Sequence, residues 1–289
     1  MTGLTGSEIT NSASPRIKAA RRLGKRAFRA RDRRFLAEGP QAVREALSPA
    51  VAGSTVARVG VHEVFVTAEA AARHPDLVAA ARAVDCPVQC VSGDVMAALT
   101  QTVTPQGVVA VCDLLDVPLS DVLTPSPTLV ALLGFVRDPG NAGTVVRVAD
   151  AAGADAVVFS DASVDPYNGK VVRSSAGSLF HLPIVVDVTL PDAVTALRAS
   201  GLQILAADGS GSTDLDEAGR AGVLARPTAW LFGNEAWGLP AELRDLADEA
   251  VRVPIYGRAE SLNLATAAAV CLYASARAQR RPGEQVPIR

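Results

Sequence analysis

Short apolar runs alternate with helix-like stretches along the second half of the chain, and this alternation limits the fold more than any other feature. Leu129–Phe135 is a continuous apolar run, which is typical of a strand buried on both faces of a sheet. The helix-like stretch Thr144–Ala152 follows and ends at Gly153, where a helix often needs a left-handed residue. The same order recurs as far as an alanine-rich helix at Leu262–Gln279. We therefore predict an α/β domain over residues 128–281.

The first half of the chain predicts a second, smaller α/β unit. Strand-like and helix-like stretches alternate from Phe35–Glu38 onward, which indicates an N-terminal domain over residues 16–115. The segment 116–127 contains VPLSDVLTPSP, whose prolines favour a linker. Residues 1–15 are predicted to be a disordered lead-in and residues 282–289 a tail.

The composition excludes several classes of protein. The chain has 289 residues, 49% of them hydrophobic, so it can bury a sizeable core. It has no uninterrupted apolar stretch of about 18 residues, so we expect no membrane helix. The four cysteines form no CxxC pair and the three histidines lie far apart in sequence, so we expect neither a disulfide framework nor a metal site. These features fit a protein of the reducing cytoplasm.

Positive charge is concentrated near the N-terminus. Residues 16–34 contain ten Lys or Arg and one acidic residue, although the net charge of the whole chain is −2. Such a block can bind a polyanion by displacing its counterions, or it can simply form a solvated helix face. We predict that it forms a basic helix that contacts nucleic acid. Aromatic residues make up only 4% of the chain, so an extended base-stacking platform is not expected. The candidate nucleic-acid-binding residues are Arg21, Arg22, Lys25, Arg26 and Arg29.

Three loops that follow predicted strands contain more polar residues than a turn requires. They are Arg137–Ala149 (RDPGNAGTVVRVA), Leu231–Leu239 (LFGNEAWGL) and Val251–Thr266 (VRVPIYGRAESLNLAT). In open α/β sheets, ligands bind in the crevice outside the carboxyl ends of the strands. We therefore predict that the three loops form one site.

Each polar residue in these loops also has a simpler explanation. Asn141 could cap the helix that follows it, and Ser261 or Asn263 could cap the last helix. Glu235 could face solvent or act as a cap. Arg147 could only improve solubility, but it follows the apolar start of its helix and lies beyond the reach of a cap, so we assign it to the site.

The three loops resemble a known family. The patterns NxGTxxR, LxxGNExxGL and VxxPxxGxxxSLNxAxAxAxxLY resemble the three motifs of the SpoU-like RNA 2′-O-ribose methyltransferases, which belong to the SPOUT superfamily. The resemblance extends over Thr128–Arg281. The preceding segment, with its FLAEGP, is similar to the substrate-binding domain of these enzymes. The whole chain resembles the rRNA-modifying branch that includes thiostrepton-resistance methyltransferases.

The resemblance implies a trefoil knot in the C-terminal α/β domain and a homodimer with its site at the subunit junction. It also implies that S-adenosyl-L-methionine binds to backbone atoms of the second and third motifs. The cofactor-binding positions are Gly233, Val253 and Leu262, with Leu205 as a weaker fourth. The positions that match the polar residues of the family's active site are Asn141, Arg147, Glu235, Ser261 and Asn263.

The implied reaction is methyl transfer to a ribose 2′-hydroxyl of structured RNA, with 23S rRNA as the favoured substrate. The alternatives are a tRNA 2′-O-methyltransferase and a non-catalytic protein for RNA binding or ribosome assembly. A nucleotide-dependent oxidoreductase is disfavoured. Gly209 and Gly211 follow a strand, but Asp214 stands where the third glycine of GxGxxG would be.

Overall fold

The computed structural model describes residues 7–48, 59–100, 102–234 and 238–280. The chain folds into two compact units. The first unit comprises Met1–Leu115 with Asp165–His181, and the second comprises Asp116–Val164 with Leu182–Arg289. Both units are α/β, as predicted.

The regular elements alternate along the chain. The strands are β1 (Arg34–Glu38), β2 (Val61–Val66), β3 (Val88–Cys90), β4 (Val108–Asp113), β5 (Leu129–Leu133), β6 (Ala156–Ser160), β7 (Ile184–Val188), β8 (Gln203–Ala207), β9 (Thr213–Asp214), β10 (Thr228–Phe232) and β11 (Glu249–Arg252). The α-helices are α1 (Pro15–Arg21), α2 (Arg26–Asp32), α3 (Pro40–Leu47), α4 (Ala68–Arg73), α5 (Pro75–Ala83), α6 (Gly93–Leu99), α7 (Leu119–Val122), α8 (Pro139–Ala152), α9 (Gly169–Ser174), α10 (Leu190–Ala199), α11 (Leu215–Arg220), α12 (Ala241–Arg244) and α13 (Leu264–Gln279).

The first unit is built on a mixed sheet with the strand order β1-β4-β2-β3. Strand β4 is antiparallel to β1 and to β2, whereas β2 and β3 are parallel. A core of apolar side chains from the sheet, α1 and α6 includes Ile17, Leu36, Phe65 and Val95, each at most 5% exposed.

The predicted basic helix is interrupted. A 3-10 turn at Arg22–Gly24 and an extended Lys25 (φ −104°, ψ 133°) separate α1 from α2. Glycine is unfavourable in a helix interior, and Gly24 stands at this break. The basic residues are therefore divided between α1, the break and α2, and they do not form one continuous helix.

The predicted lead-in is partly ordered. Ile9 forms a parallel bridge with Val91: its N–H donates to the Cys90 carbonyl at 2.9 Å, and the Ser92 N–H donates to its carbonyl at 3.1 Å. Ser14 then caps α1. The prediction of disorder is therefore wrong for residues 7–14, because backbone pairing holds this segment beside β3. Residues 1–6 of the lead-in and the predicted tail 282–289 lie outside the described residues.

Two predicted domain boundaries also differ from the structure. The segment 116–127 packs into the second unit: the Val117 N–H donates to the Ile184 carbonyl at 2.9 Å, and Val122 is buried in the core. It is therefore not a free linker. The segment Asp165–His181 belongs to the first unit, where the ring of Tyr167 lies 4.9 Å from that of Phe35.

The second unit contains a parallel sheet with the strand order β7-β6-β5-β10-β8-β11-β9. Every residue of β5 is buried, which confirms the strand predicted from the apolar run. Helix α13 packs against this sheet: the buried Trp230 indole N–H donates to the Ser275 hydroxyl at 2.9 Å. The trefoil knot stays a prediction. Among the helices of the described residues, none combines the length and the apolarity needed to cross a membrane.

Candidate active site

The loops of the first and second motifs leave the sheet side by side. Strands β5 and β10 are parallel neighbours, with Phe232 opposite Leu133, so their carboxyl ends lie together. The Gly134 N–H donates to the Phe232 carbonyl at 2.8 Å, which extends the pairing into the two loops. This is the edge of a parallel sheet at which ligands bind.

Asn234 fastens the two loops to each other. Its side chain is 6% exposed, and its amide nitrogen donates to the Phe135 carbonyl at 2.9 Å. Phe135 has a left-handed backbone (φ 59°), which is uncommon for a non-glycine residue. Residues with such strained backbones are enriched at functional sites. Asn234 lies in the second motif but is not among the predicted site residues. An amide residue two positions beyond a strand-like apolar run is the signal that could have found it.

Gly233 is required by the path of its own loop. Asn234 and Gly238 exchange two backbone hydrogen bonds of 3.0 and 2.9 Å, so the chain folds back beside Gly233. A Cβ atom on Gly233 would lie 2.7 Å from the Gly238 carbonyl carbon and 2.7 Å from the Leu239 side chain. Any side chain here must displace the loop. Glu235, in the same loop, lies outside the described residues.

The first and third motifs meet through two asparagines. Helix α8 starts at Pro139 rather than Thr144, and its cap is Asp138, whose carboxylate accepts from the Asn141 N–H at 2.7 Å. The Asn141 amide is therefore not needed as a cap. Its oxygen instead accepts a 2.9 Å hydrogen bond from the side chain of Asn263, 122 residues away in sequence.

Asn263 has two roles. Its oxygen caps α13 by accepting from the Ala265 N–H at 2.9 Å, while its amide nitrogen reaches Asn141. Further along the same two helices, the Tyr273 hydroxyl of α13 donates to the Ala151 carbonyl of α8 at 3.3 Å. Helices α8 and α13 therefore run in the same direction, with their N-termini together. Two adjacent N-termini favour negative charge at this point.

Four other predicted site residues of the second unit are more exposed to solvent than Asn234. Arg147 is exposed on α8, and Ser261 is exposed in the loop before α13. Val253 directly follows β11 and is half-buried, while Leu262 is 37% exposed.

Leu205 does not belong to this group of loops. It lies in the middle of β8, where it pairs with Trp230 on one side and Glu249 on the other, and its side chain is 1% exposed. Central strands use their backbone groups in the sheet. The placement therefore does not support Leu205 as a cofactor contact.

Two positions of a possible dinucleotide motif, Gly211 and Asp214, have a local explanation. A Cβ atom on Gly211 would lie 2.4 Å from the Ala250 carbonyl oxygen, so the close approach of β11 requires this glycine. Asp214 caps α11 by accepting from the Glu217 N–H. Neither residue needs a bound nucleotide to account for it.

The candidate RNA-binding residues fall into two groups. Arg21, Arg22, Lys25 and Arg26 are exposed. Arg29 is only 4% exposed: its Nε and Nη2 atoms lie 2.9 and 2.5 Å from the Asp165 carboxylate, and its Nη1 donates to the Leu23 carbonyl at 2.8 Å. This placement does not support Arg29 as an RNA contact, because its charge is compensated inside the first unit.

The four cysteines are buried and have free thiols. Within the described ranges, no group of three or more His, Cys, Asp or Glu residues is arranged to hold a metal ion.

Family models match both parts of the chain. Residues 128–273 match the SpoU rRNA Methylase family, and residues 14–110 match an MRM3-like substrate binding domain. The first match covers the parallel sheet and all three motif loops.

Similar proteins match between 60% and 94% of this chain. The chain is 36% identical over 269 residues to the 23S rRNA (guanosine(2553)-2′-O)-methyltransferase RlmP of Bacillus subtilis, covering 92% of this chain and 98% of that protein. It is 39% identical over 183 residues to a 23S rRNA (uridine(2479)-2′-O)-methyltransferase of Streptomyces viridochromogenes, covering 60% and 61% of the two chains. The structure of an AdoMet-bound rRNA methyltransferase from Sinorhizobium meliloti is 34% identical, with a TM-score of 0.78 and coverage of 94% and 97%. The chain belongs to the SpoU rRNA methylase family.

Proposed function

We propose that this protein transfers a methyl group from S-adenosyl-L-methionine to a ribose 2′-hydroxyl of 23S rRNA. The observation that carries the proposal is the Asn141–Asn263 hydrogen bond, which joins the first and third motifs at the edge where the loop of the second motif begins. The names of the relatives from B. subtilis and S. viridochromogenes support the 2′-hydroxyl and the 23S rRNA. The match of residues 14–110 to a substrate-binding domain supports RNA as the partner of the first unit.

The loops after β10 and β11 fit S-adenosyl-L-methionine. Gly233 has no side chain to block its backbone, and Val253 and Leu262 offer partly exposed apolar surface. The AdoMet-bound relative from S. meliloti supports the same ligand here. When bound, its sulfonium supplies a reactive methyl group. The residues of this chain then have to hold the ribose in line, because positioning alone can contribute about 7–11 kcal/mol to a reaction of this kind.

Arg147 is proposed to hold an RNA phosphate and to stabilise negative charge on the attacking oxygen. A guanidinium stays protonated in proteins, so it acts as a hydrogen-bond donor and not as a general base. The proton of the hydroxyl is proposed to pass to Glu235 or to a water molecule. The Asn141–Asn263 pair keeps the N-termini of α8 and α13 together, which fixes the direction from which Arg147 approaches.

A homodimer is part of the proposal. Of the six large apolar side chains that are exposed among the described residues, five lie between positions 255 and 273. They are Ile255, Tyr256, Leu262, Val270 and Tyr273. Exposed apolar residues concentrated in the third motif and α13 are typical of an interface, and a second copy of this chain would cover them. Sedimentation equilibrium should give twice the monomer mass, and Val270→Glu should shift the equilibrium towards monomer.

Methyl transfer can be tested with labelled S-adenosyl-L-methionine. We expect the full chain to label 23S rRNA at a 2′-hydroxyl and to leave a tRNA pool unlabelled. Labelling of tRNA alone would point to a tRNA enzyme. Cofactor binding in calorimetry without labelling of either RNA would contradict the proposed reaction.

The cofactor loop is tested by two glycine variants. Gly233→Ala forces the loop away from Gly238, so we expect cofactor binding to weaken at least about tenfold, which corresponds to about 1.4 kcal/mol. Gly209→Ala is the matched control, because a Cβ atom there meets no atom within 4 Å. Equal binding by the two folded variants would remove Gly233 from the cofactor site.

A further inference from the structure

An aromatic ring and two arginines form a compact group on the first unit. The guanidinium carbon of Arg31 lies 4.8 Å from the centre of the Phe28 ring, and that of Arg22 lies 5.8 Å from it. Both distances are within the range of about 6 Å in which a cation is attracted to an aromatic ring. We call Arg22, Phe28 and Arg31 the stacking group.

Asp32 holds both guanidinium groups in place. Its two carboxylate oxygens lie 2.9 Å from Arg22 Nη2 and 2.9 Å from Arg31 Nε. The hydrogen bond from Arg31 lowers the pKa of Asp32, so the carboxylate stays charged at neutral pH. The side chains of Arg22 and Arg31 remain 43% and 56% exposed. The guanidinium groups are therefore oriented and still accessible.

The helix beneath the stacking group is anchored as well. Arg29, on α2 between Phe28 and Arg31, has its guanidinium buried against Asp165 and the Leu23 carbonyl. This attachment limits the freedom of α2. A surface that is ordered before binding loses less entropy when a ligand arrives.

A cavity of about 480 Å³ adjoins the stacking group. Arg22 and Asp32 contribute to its lining, together with Arg16, Arg34, His62 and Glu63. Arg16 is paired with Glu63 at 2.5 Å, so part of the positive charge is compensated. Arg22 is paired with Asp32 and Arg34 lies 3.8 Å from the Asp113 carboxylate, so each arginine of the lining faces a carboxylate. A guanidinium has five N–H donors, so a paired arginine can still donate to a phosphate.

We infer that the stacking group binds an unpaired base of the substrate RNA, with the base stacked on the guanidinium and ring planes and its phosphate at the adjoining cavity. Proteins that recognise unpaired RNA stack bases on aromatic rings and on arginine guanidinium planes. The inference rests on the proposed function only in taking RNA as the substrate. It needs one aromatic ring, so the low aromatic content of the chain is no obstacle.

The experiment uses the full chain and a fluorescently labelled single-stranded oligoadenylate, whose binding is followed by anisotropy. Phe28→Leu removes the ring and keeps an apolar side chain, so we expect affinity to fall at least about fivefold. The slope of log affinity against log salt should stay unchanged, because no phosphate contact is lost. Arg31→Gln should also weaken binding, because the base loses a guanidinium plane on which to stack. Phe28→Tyr should bind like the wild type.

Arg73→Gln is the matched control for Arg31→Gln. Arg73 is also 56% exposed and is also paired with a nearby carboxylate, that of Glu69. It should leave the affinity unchanged. Circular dichroism verifies that each variant is folded. An unchanged affinity for folded Phe28→Leu would overturn the inference, as would equal losses for Arg31→Gln and Arg73→Gln or no binding of the oligoadenylate by the wild type. Methyl transfer to 23S rRNA by the wild type is measured separately, so failure of the proposed function remains distinguishable.

Discussion

Arg147 is the residue whose proposed role is most sensitive to a conservative change. It is exposed on α8, a helix whose other faces are largely buried and apolar. A planar guanidinium can hold a phosphate through two hydrogen bonds at once, whereas the ammonium of lysine is a point charge on a different stem. The two side chains carry the same charge, so a comparison between them isolates geometry.

We expect Arg147→Lys to methylate 23S rRNA at least about tenfold more slowly, a loss of about 1.4 kcal/mol of transition-state stabilisation. The measurement is the single-turnover rate with labelled S-adenosyl-L-methionine from pH 7 to pH 10. Arg226→Lys, which changes another exposed arginine of the same unit, should retain the wild-type rate.

The pH profile separates a phosphate clamp from a general base. A lysine amine loses its proton near pH 10.4, at about the end of the tested range. If Arg147 acted as a base, the lysine variant would recover steeply as the pH approached that value. Such a recovery, relative to the wild type, would contradict the clamp.

At the scale of elements, α13 links the site to the core. It begins at Asn263, which bonds to Asn141, and it is fastened to the sheet by the hydrogen bond between Trp230 and Ser275. Both residues of this second bond are fully buried. A buried donor that loses its acceptor costs about 1–3 kcal/mol.

Ser275→Ala should therefore lower the free energy of unfolding by about 1–3 kcal/mol, because it leaves the indole N–H without that acceptor. Urea unfolding followed by tryptophan fluorescence measures the change. Thr266→Ala, at an exposed position of the same helix, should change stability by no more than about 0.5 kcal/mol. Equal stabilities of the two variants would mean that the hydrogen bond does not fasten α13.

At the scale of the whole molecule, buried thiols make stability depend on alkaline pH. Burial raises the pKa of the Cys86 thiol from 9.0 to about 11 and that of Cys271 from 9.0 to about 12. Burial also raises the pKa of Cys112. Above pH 9 these thiols lose their protons in the unfolded chain but keep them in the folded one. The folded state then binds more protons, so stability falls as the pH rises.

The free energy of unfolding should fall between about pH 9 and pH 11, by about 1.4 kcal/mol per pH unit for each shifted thiol. Cys271→Ala should reduce this slope by the contribution of one thiol, about 1.4 kcal/mol per pH unit. Val146→Ala, which removes buried apolar atoms without a titrating group, should lower stability and leave the slope unchanged. Urea unfolding at several pH values checks both. A Cys271→Ala slope equal to that of the wild type would contradict the assignment.

Local pattern alone predicted the buried strand β5, the end of α8 and the edge of the sheet at which the motif loops lie. The apolar run at Leu129–Phe135 predicted β5 because a strand covered on both faces needs continuous apolar side chains. Glycine at position 153 predicted the end of α8, which it caps with a left-handed backbone. Each motif loop follows a predicted strand, which predicted that the loops lie close together, since the carboxyl ends of strands in a parallel sheet lie along one edge.

Tertiary structure alone decided which polar groups meet. Periodicity placed Arg29 on a basic face, but Asp165, 136 residues away, made it a buried ion pair. The sequence is compatible with Asn141 either as a helix cap or as a site residue. The structure distinguishes the two roles, because Asp138 caps α8 and the Asn141 side chain bonds to Asn263. Residues 165–181 joined the first unit for the same reason, through contacts distant in sequence. Hydrophobic patterning and turn preference are local properties of the chain, whereas the partner of a charged or amide group depends on which distant segment the topology brings within hydrogen-bond distance.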